Sequence, residues 1–174
     1  MRKPRLALVV FASLSLLLAA SGTTSASQTT RRLNMLDDCD QFSFNAAVGP
    51  GTCTKTGTTT FTDFIGQLQT MGRAPAWRFA PTTLTLPTGS SIVAFNKGGE
   101  DHTFTEVASF GGGCVPVLDA ILGLTPVPEC GNPALLFGTL AEQGGSTQTA
   151  PLAPGVHLFE CLIHPWMRAT VTVE

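Results

Sequence analysis

The chain has 174 residues, a formal net charge of -2, 43% hydrophobic residues and only 13% charged ones. Beyond Arg2, Lys3 and Arg5 at the N-terminus no basic cluster stands out, which makes nucleic acid and anionic lipid poor partners. The length suits one domain able to bury a core without metal staples, and low charge with abundant Gly, Pro and Thr points to a β-rich protein.

The N-terminus, "MRKPRLALVVFASLSLLLAASGTTSASQ", sets Arg2, Lys3 and Arg5 before an apolar run from Leu6 to Ala20, with small residues after it. This is the pattern of a secretory signal. Residues 1–27 are therefore expected to be removed on export, with the cut between Ala20 and Ser27, leaving a periplasmic or secreted protein. A retained anchor is the alternative, but the run is short against the ~20 residues a spanning helix needs. No cysteine follows the run to take a lipid, and no membrane span is expected after cleavage. Without the signal, the ten basic residues fall to seven against twelve acidic ones.

Residues 28–76 are expected to form an N-terminal stapled lobe with a short helix. The stretch "DDCDQFSFNAAVGPGTC" reads as an irregular loop closed by its own disulfide. After it, Thr60 precedes "FTDFIGQLQTM", where Phe61, Phe64, Ile65 and Leu68 fall at helical spacing and Asp63 stands three residues after Thr60. That arrangement opens a short capped, amphipathic helix whose apolar stripe packs inward.

From residue 77 to 174 the apolar period changes to two, and a separate β domain is expected. Trp77 alternates with Phe79 and Leu84 with Leu86; the chain turns at Pro87 to Ser90 and continues through Ile92 and Ala94. "HTFTEV", "VHLFEC" and "RATVTVE" read as further strands of an antiparallel sandwich. Residues 109–150 form a long connection with about one helical turn around Val117 to Leu122.

In an oxidising compartment Cys39 pairs naturally with Cys53 and Cys114 with Cys130, although four cysteines allow three connectivities. The fifth, Cys161, is left over in "FECLIHPWM", together with His164 and Met167. Each of these three offers a soft or borderline lone pair to a metal. A strand ending at Cys161 and a turn kinked by Pro165 can bring His164 and Met167 round to the thiolate. Of the other two histidines, His157 lies four residues up the same strand, ~13 Å away and out of reach. His102 opens a separate strand after Gly98 and Gly99 and can lie beside the end of the Cys161 strand. Two imidazoles, one thiolate and one thioether are the ligand set of an electron-transferring copper site. Structural zinc gathers more cysteines, and catalytic zinc keeps an open position. A Cys/His nucleophile pair gives Met167 no role.

These residues resemble those of the cupredoxins, the small blue copper proteins of the plastocyanin and azurin type. "GVHLFECLIHPWM" is similar to the family's last strand and ligand loop, most like the short loop of amicyanin, and "FAPTTLTLPTGSSIVAFNKGGEDHTF" resembles its opening strands up to the first ligand. The resemblance covers roughly residues 77–174. It implies an all-β, Greek-key β-sandwich binding one type 1 copper through His102, Cys161, His164 and Met167. It also implies an electron carrier rather than an enzyme, a monomer exchanging single electrons with redox protein partners, with His164 as an exposed port flanked by Pro165 and Trp166. A copper-trafficking protein without redox turnover is the alternative. Thr103 stands where the family often has asparagine, and His157 where it often has tyrosine. Glu100 and Asp101 read as solvated loop charges.

Overall fold

The computed structural model describes residues 29–174; the expected signal peptide lies outside them. Ten strands and four short α-helices follow in order. The first strand, β1 (Thr30–Leu36), precedes two helices, α1 (Gln41–Ala47) and α2 (Phe61–Met71). Five strands come next: β2 (Arg78–Ala80), β3 (Thr83–Leu86), β4 (Ser91–Asn96), β5 (His102–Thr103) and β6 (Thr105–Val107). The long connection carries α3 (Pro116–Leu122), α4 (Pro133–Gly138), β7 (Leu140–Ala141) and β8 (Ser146–Gln148), and the chain closes with β9 (Gly155–Glu160) and β10 (Arg168–Val173).

Two four-stranded sheets, ordered β2-β1-β4-β8 and β3-β10-β9-β6, pack face to face, and β5 pairs with β7 in a small third sheet. The alternation seen in the sequence is the burial pattern. Leu33 and Met35 of β1, and Ile92 and Ala94 of β4, meet Leu84, Leu86, Phe159, Ala169, Val171 and Val173 from the other sheet in one core. Each such large aliphatic side chain contributes about 1.5–3 kcal/mol by leaving water. Phe104 stacks on Phe159 at 4.3 Å and meets Phe79 edge-on at 5.2 Å, linking the sheets. The result is the expected β-sandwich, with short helices attached.

Three local expectations are corrected. The stretch after Cys39 is not wholly irregular: Asp40 accepts a hydrogen bond from Ser43 N at 2.8 Å and so caps α1, a helix too short for its periodicity to show. "HTFTEV" is not one strand. The chain changes sheets at Phe104, whose N–H donates to Thr139 O at 3.0 Å, so β5 pairs with β7 while β6 pairs with β9. The long connection is not strandless either. Its polar edge strand β8 pairs antiparallel with β4, and polar residues facing solvent leave no period-two signal.

Two other expectations match, the cap of α2 and the disulfide pairing. Thr60 caps α2 by accepting from Asp63 N, and Gly72 ends it in the left-handed conformation at φ 66°. The disulfides are Cys39–Cys53 and Cys114–Cys130. Strand β1, from the segment 28–76, lies between β2 and β4 and runs parallel to β4 from Thr30 opposite Ser91 to Met35 opposite Asn96, so the two sequence segments share one sheet. Among the described residues no helix is long and apolar enough to cross a membrane.

Candidate metal centre

Strand β9 ends at Glu160, and the chain turns before β10 begins at Arg168. Within the turn Cys161 N donates to Met167 O at 3.0 Å and Met167 N donates to His164 O at 2.9 Å. These two bonds fold the seven-residue segment back on itself and turn Cys161, His164 and Met167 inward. The switch of sheets at Phe104 sets His102 against the same spot. Nδ1 of His102 lies 3.9 Å from Cys161 Sγ, and Nδ1 of His164 lies 3.8 Å from it. All three ligand atoms fall within 4.8 Å of one another. His102, Cys161 and Met167 are fully buried and His164 is 3% exposed.

The donor set fits a metal. An ion bonded to nitrogen at about 2.0 Å and to sulfur at about 2.3 Å, with angles near 110–120°, holds the two donors about 3.5–3.7 Å apart. The observed separations are close to that. Cys161 takes part in neither disulfide, so its sulfur is available, and Met167 supplies a buried thioether in the same loop.

The electrostatics favour a thiolate. Burial alone would raise the Cys161 thiol, but the imidazoles of His102 and His164 outweigh it and hold the thiol well below its usual range. Burial would likewise lower His102, yet its contacts with Asp37 and Cys161 push it up to about 9 in the metal-free protein. Metal binding must therefore displace protons.

Thr103 supports the thiolate twice. Its N–H points at Cys161 Sγ at 3.4 Å, and its hydroxyl oxygen accepts from Leu162 N at 2.7 Å, tying the two ligand segments together. A hydroxyl thus makes a link between these segments where the family often has an asparagine. Thr105 donates to the same oxygen at 3.1 Å.

Two carboxylates face the outer edges of the imidazoles. Asp37 Oδ2 lies 2.8 Å from His102 Nε2, and Glu100 Oε2 lies 3.5 Å from His164 Nε2 while accepting from Trp77 Nε1 at 2.6 Å. Sequence reasoning missed Asp37 and took Glu100 for a solvated charge; Glu100 is in fact buried. Burial raises the Glu100 carboxyl against the opposing pull of His164. Asp37 and Glu100 also lie near Cys39, but that sulfur is committed to its disulfide and makes no second metal site.

The expected exposure of His164 is also corrected. Phe64 and Trp166 pack against its ring with centroids 6.4 and 5.5 Å away, and Pro165 is buried. Two cavities border His164, an apolar one of about 260 Å³ lined by Phe44, Phe61, Phe64, Ile65 and Ile163, and a more polar one of about 220 Å³ beside Asp101 and Gln143. His157 stands apart, between Glu106 at 2.6 Å and Ala153 O at 2.8 Å, and is not part of the cluster.

The comparisons with known proteins concern the fold. No protein-family model matches the sequence, and no curated protein matches it. Among solved structures, a purple cupredoxin from Nitrosopumilus maritimus is 14% identical over 83% of this chain and 99% of its own, with a TM-score of 0.42. The oxidised plastocyanin of Dryopteris crassirhizoma is 14% identical over 82% of this chain and 99% of its own, TM-score 0.41. A point mutant of amicyanin in its Cu(I) form is 17% identical over 56% of this chain and 73% of its own, TM-score 0.37. Likenesses this weak say nothing of the site, whose chemistry rests on its own residues.

Proposed function

We propose that this protein is an exported type 1 copper protein that carries single electrons between redox partners, with His102, Cys161, His164 and Met167 as the ligands. The observation that carries this reading is the convergence of one thiol and two Nδ1 atoms, all buried, on a cysteine left out of both disulfides. When bound, copper supplies one-electron exchange between Cu(I) and Cu(II); the two-His, one-Cys set with a weak methionine is the blue-copper donor set.

The chain's own part is positional. The Thr103 contacts hold the thiolate, the bonds within the 161–167 turn hold His164 and Met167, and the aromatic cover of Phe64, Trp77 and Trp166 excludes water. Burial of this kind keeps the donors in place when the charge of the ion changes. It suits a carrier better than a trafficking protein, which must release its metal. Electrons pass through His164, the ligand that borders the apolar cavity. The two disulfides favour an oxidising compartment and so support export.

The test is visible absorption and electron paramagnetic resonance of the Cu(II)-loaded protein, with Cys161→Ser beside it. Strong absorption at about 600 nm with a narrow copper hyperfine splitting, bleached reversibly by reductant and lost in Cys161→Ser, is the expected result. A pale tetragonal copper spectrum, or a native band surviving in Cys161→Ser, would overturn the assignment. A band that does not cycle would favour trafficking.

A further inference from the structure

The contact between Asp37 and His102 has the geometry of a built second contact to a metal ligand. Asp37 lies just beyond β1, and both side chains are completely buried. Its carboxylate is filled by donors. Oδ1 accepts from Gly99 N at 2.8 Å and Cys39 N at 3.3 Å, while Oδ2 accepts from Glu100 N at 3.0 Å and meets His102 Nε2 at 2.8 Å. Three backbone N–H groups thus aim this carboxylate at one ring nitrogen. Gly98 leaves it room, because a Cβ there would collide with the Asp37 carboxylate. Both oxygens are taken up as acceptors, two contacts each, which leaves no position on the buried carboxylate for a proton of its own.

A ring nitrogen facing an ionised carboxylate carries a hydrogen, which leaves Nδ1 of a neutral His102 with the lone pair, pointing toward Cys161 Sγ. We propose that Asp37 is a positioning residue of the metal centre: it fixes the His102 tautomer that can bind through Nδ1, and its buried negative charge favours Cu(II) over Cu(I). The inference rests on the copper reading above for its second half; the first half holds for any metal at these ligands. The charge argument follows from the change in the ion. One more buried negative charge stabilises a doubly charged ion more than a singly charged one, so the carboxylate lowers the reduction potential.

The two effects separate on substitution. In Asp37→Asn, a side-chain NH2 faces both Glu100 N–H and His102 Nε2–H in place of Oδ2, or the amide flips and abandons the other two donors. The competent tautomer is then no longer favoured, and affinity for Cu(I), Cu(II) and Zn(II) all falls, by about 10- to 100-fold if Asp37 behaves as such outer contacts usually do. Loss of charge adds a further penalty to Cu(II) alone. The ratio of Cu(II) to Cu(I) affinity therefore drops about tenfold, a rise of about 59 mV in a one-electron potential.

The experiment compares wild type with Asp37→Asn by competition titration of Cu(I), Cu(II) and Zn(II), together with potentiometry. In parallel, nitrogen NMR of the diamagnetic Zn(II)-loaded wild-type protein reads the His102 tautomer without any variant. Expected are weaker binding of all three ions, a higher potential, and in the wild type a metal-bound Nδ1 with a slowly exchanging Nε2–H. Equal affinities in the two proteins, a fall that leaves the Cu(II)/Cu(I) ratio unmoved, or metal on Nε2 of His102 would overturn the proposal. If Asp37→Asn does not fold, the wild-type NMR decides the tautomer, and Asp37→Glu, which retains the charge, must keep a potential within about threefold in affinity ratio of wild type. Failure of the copper reading looks different: the wild-type band at about 600 nm is missing while the Zn(II) titration and NMR still report on Asp37.

Discussion

Replacing Thr103 distinguishes a hydrogen-bonding role from simple packing, because its hydroxyl and its methyl can be removed separately. The residue is fully buried. Its oxygen is the acceptor for Leu162 N at 2.7 Å and for the Thr105 hydroxyl at 3.1 Å. Thr103→Val keeps the shape but leaves the buried Leu162 N–H without a partner and the Thr105 hydroxyl with only Thr139 at 2.6 Å. An orphaned buried donor costs about 1–3 kcal/mol, and about 2 kcal/mol is the central expectation. Thr103→Ser keeps the oxygen and removes one methyl, a loss of about 0.8 kcal/mol. At about 2–4 °C per kcal/mol for a domain of this size, the valine variant melts about 4–8 °C lower and the serine variant about 2–3 °C lower. Thermal denaturation of the metal-free proteins by circular dichroism reads the order. The valine variant should also bind metal more weakly, because Leu162 adjoins Cys161. A valine variant as stable as the serine variant, or more so, would refute the role assigned to the hydroxyl.

The disulfide of the long connection gives another expectation. Cys114 and Cys130 are 16 residues apart, and cross-linking a loop of that size removes about 3 kcal/mol worth of unfolded-state entropy. The double variant Cys114→Ser, Cys130→Ser should lose about that much stability in urea denaturation while keeping the visible band, since neither sulfur is among the ligands; loss of the band with the fold intact would contradict this. The His157 pair predicts a pH dependence. Burial lowers His157, but the Ala153 carbonyl and the Glu106 carboxylate outweigh it, so its folded pKa lies above 6.5. Its protonated form is thus favoured by folding: the stabilisation is fully present below about pH 6.5 and is lost as pH rises through the folded pKa. Glu106 is half exposed, which limits the pair to under about 1 kcal/mol. Glu106→Gln should lower the melting temperature of the metal-free protein more at about pH 6 than at about pH 8; a pH-independent difference would show that the pair does not titrate as argued.

The loop "FECLIHPWM" carries the proposed metal chemistry in its spacing. Three donors within seven residues, one of them the unpaired cysteine, leave few alternatives, and the period-two strands on either side define what holds them. The capped helix after Thr60 and the two short-range cysteine pairs were legible for the same reason: their determinants are close in sequence. The short helix α1 and the polar strand β8 were not, because one has too few turns and the other too few apolar residues to leave a period.

What lay beyond the sequence is the surrounding of the ligands. Asp37 stands 65 residues from His102, and no local pattern in "LDDCDQ" singles out one acidic residue as a buried partner. Glu100 looks like any loop carboxylate until Trp77 and His164 close over it. The expected exposure of His164 failed similarly, since its cover comes from α2 and Trp77, far back in the chain. The proposed ligand set rests on residue type and spacing, which are local and carried by the sequence. The charge and water around those ligands depend on which distant segments pack against them, and only the tertiary structure decides that.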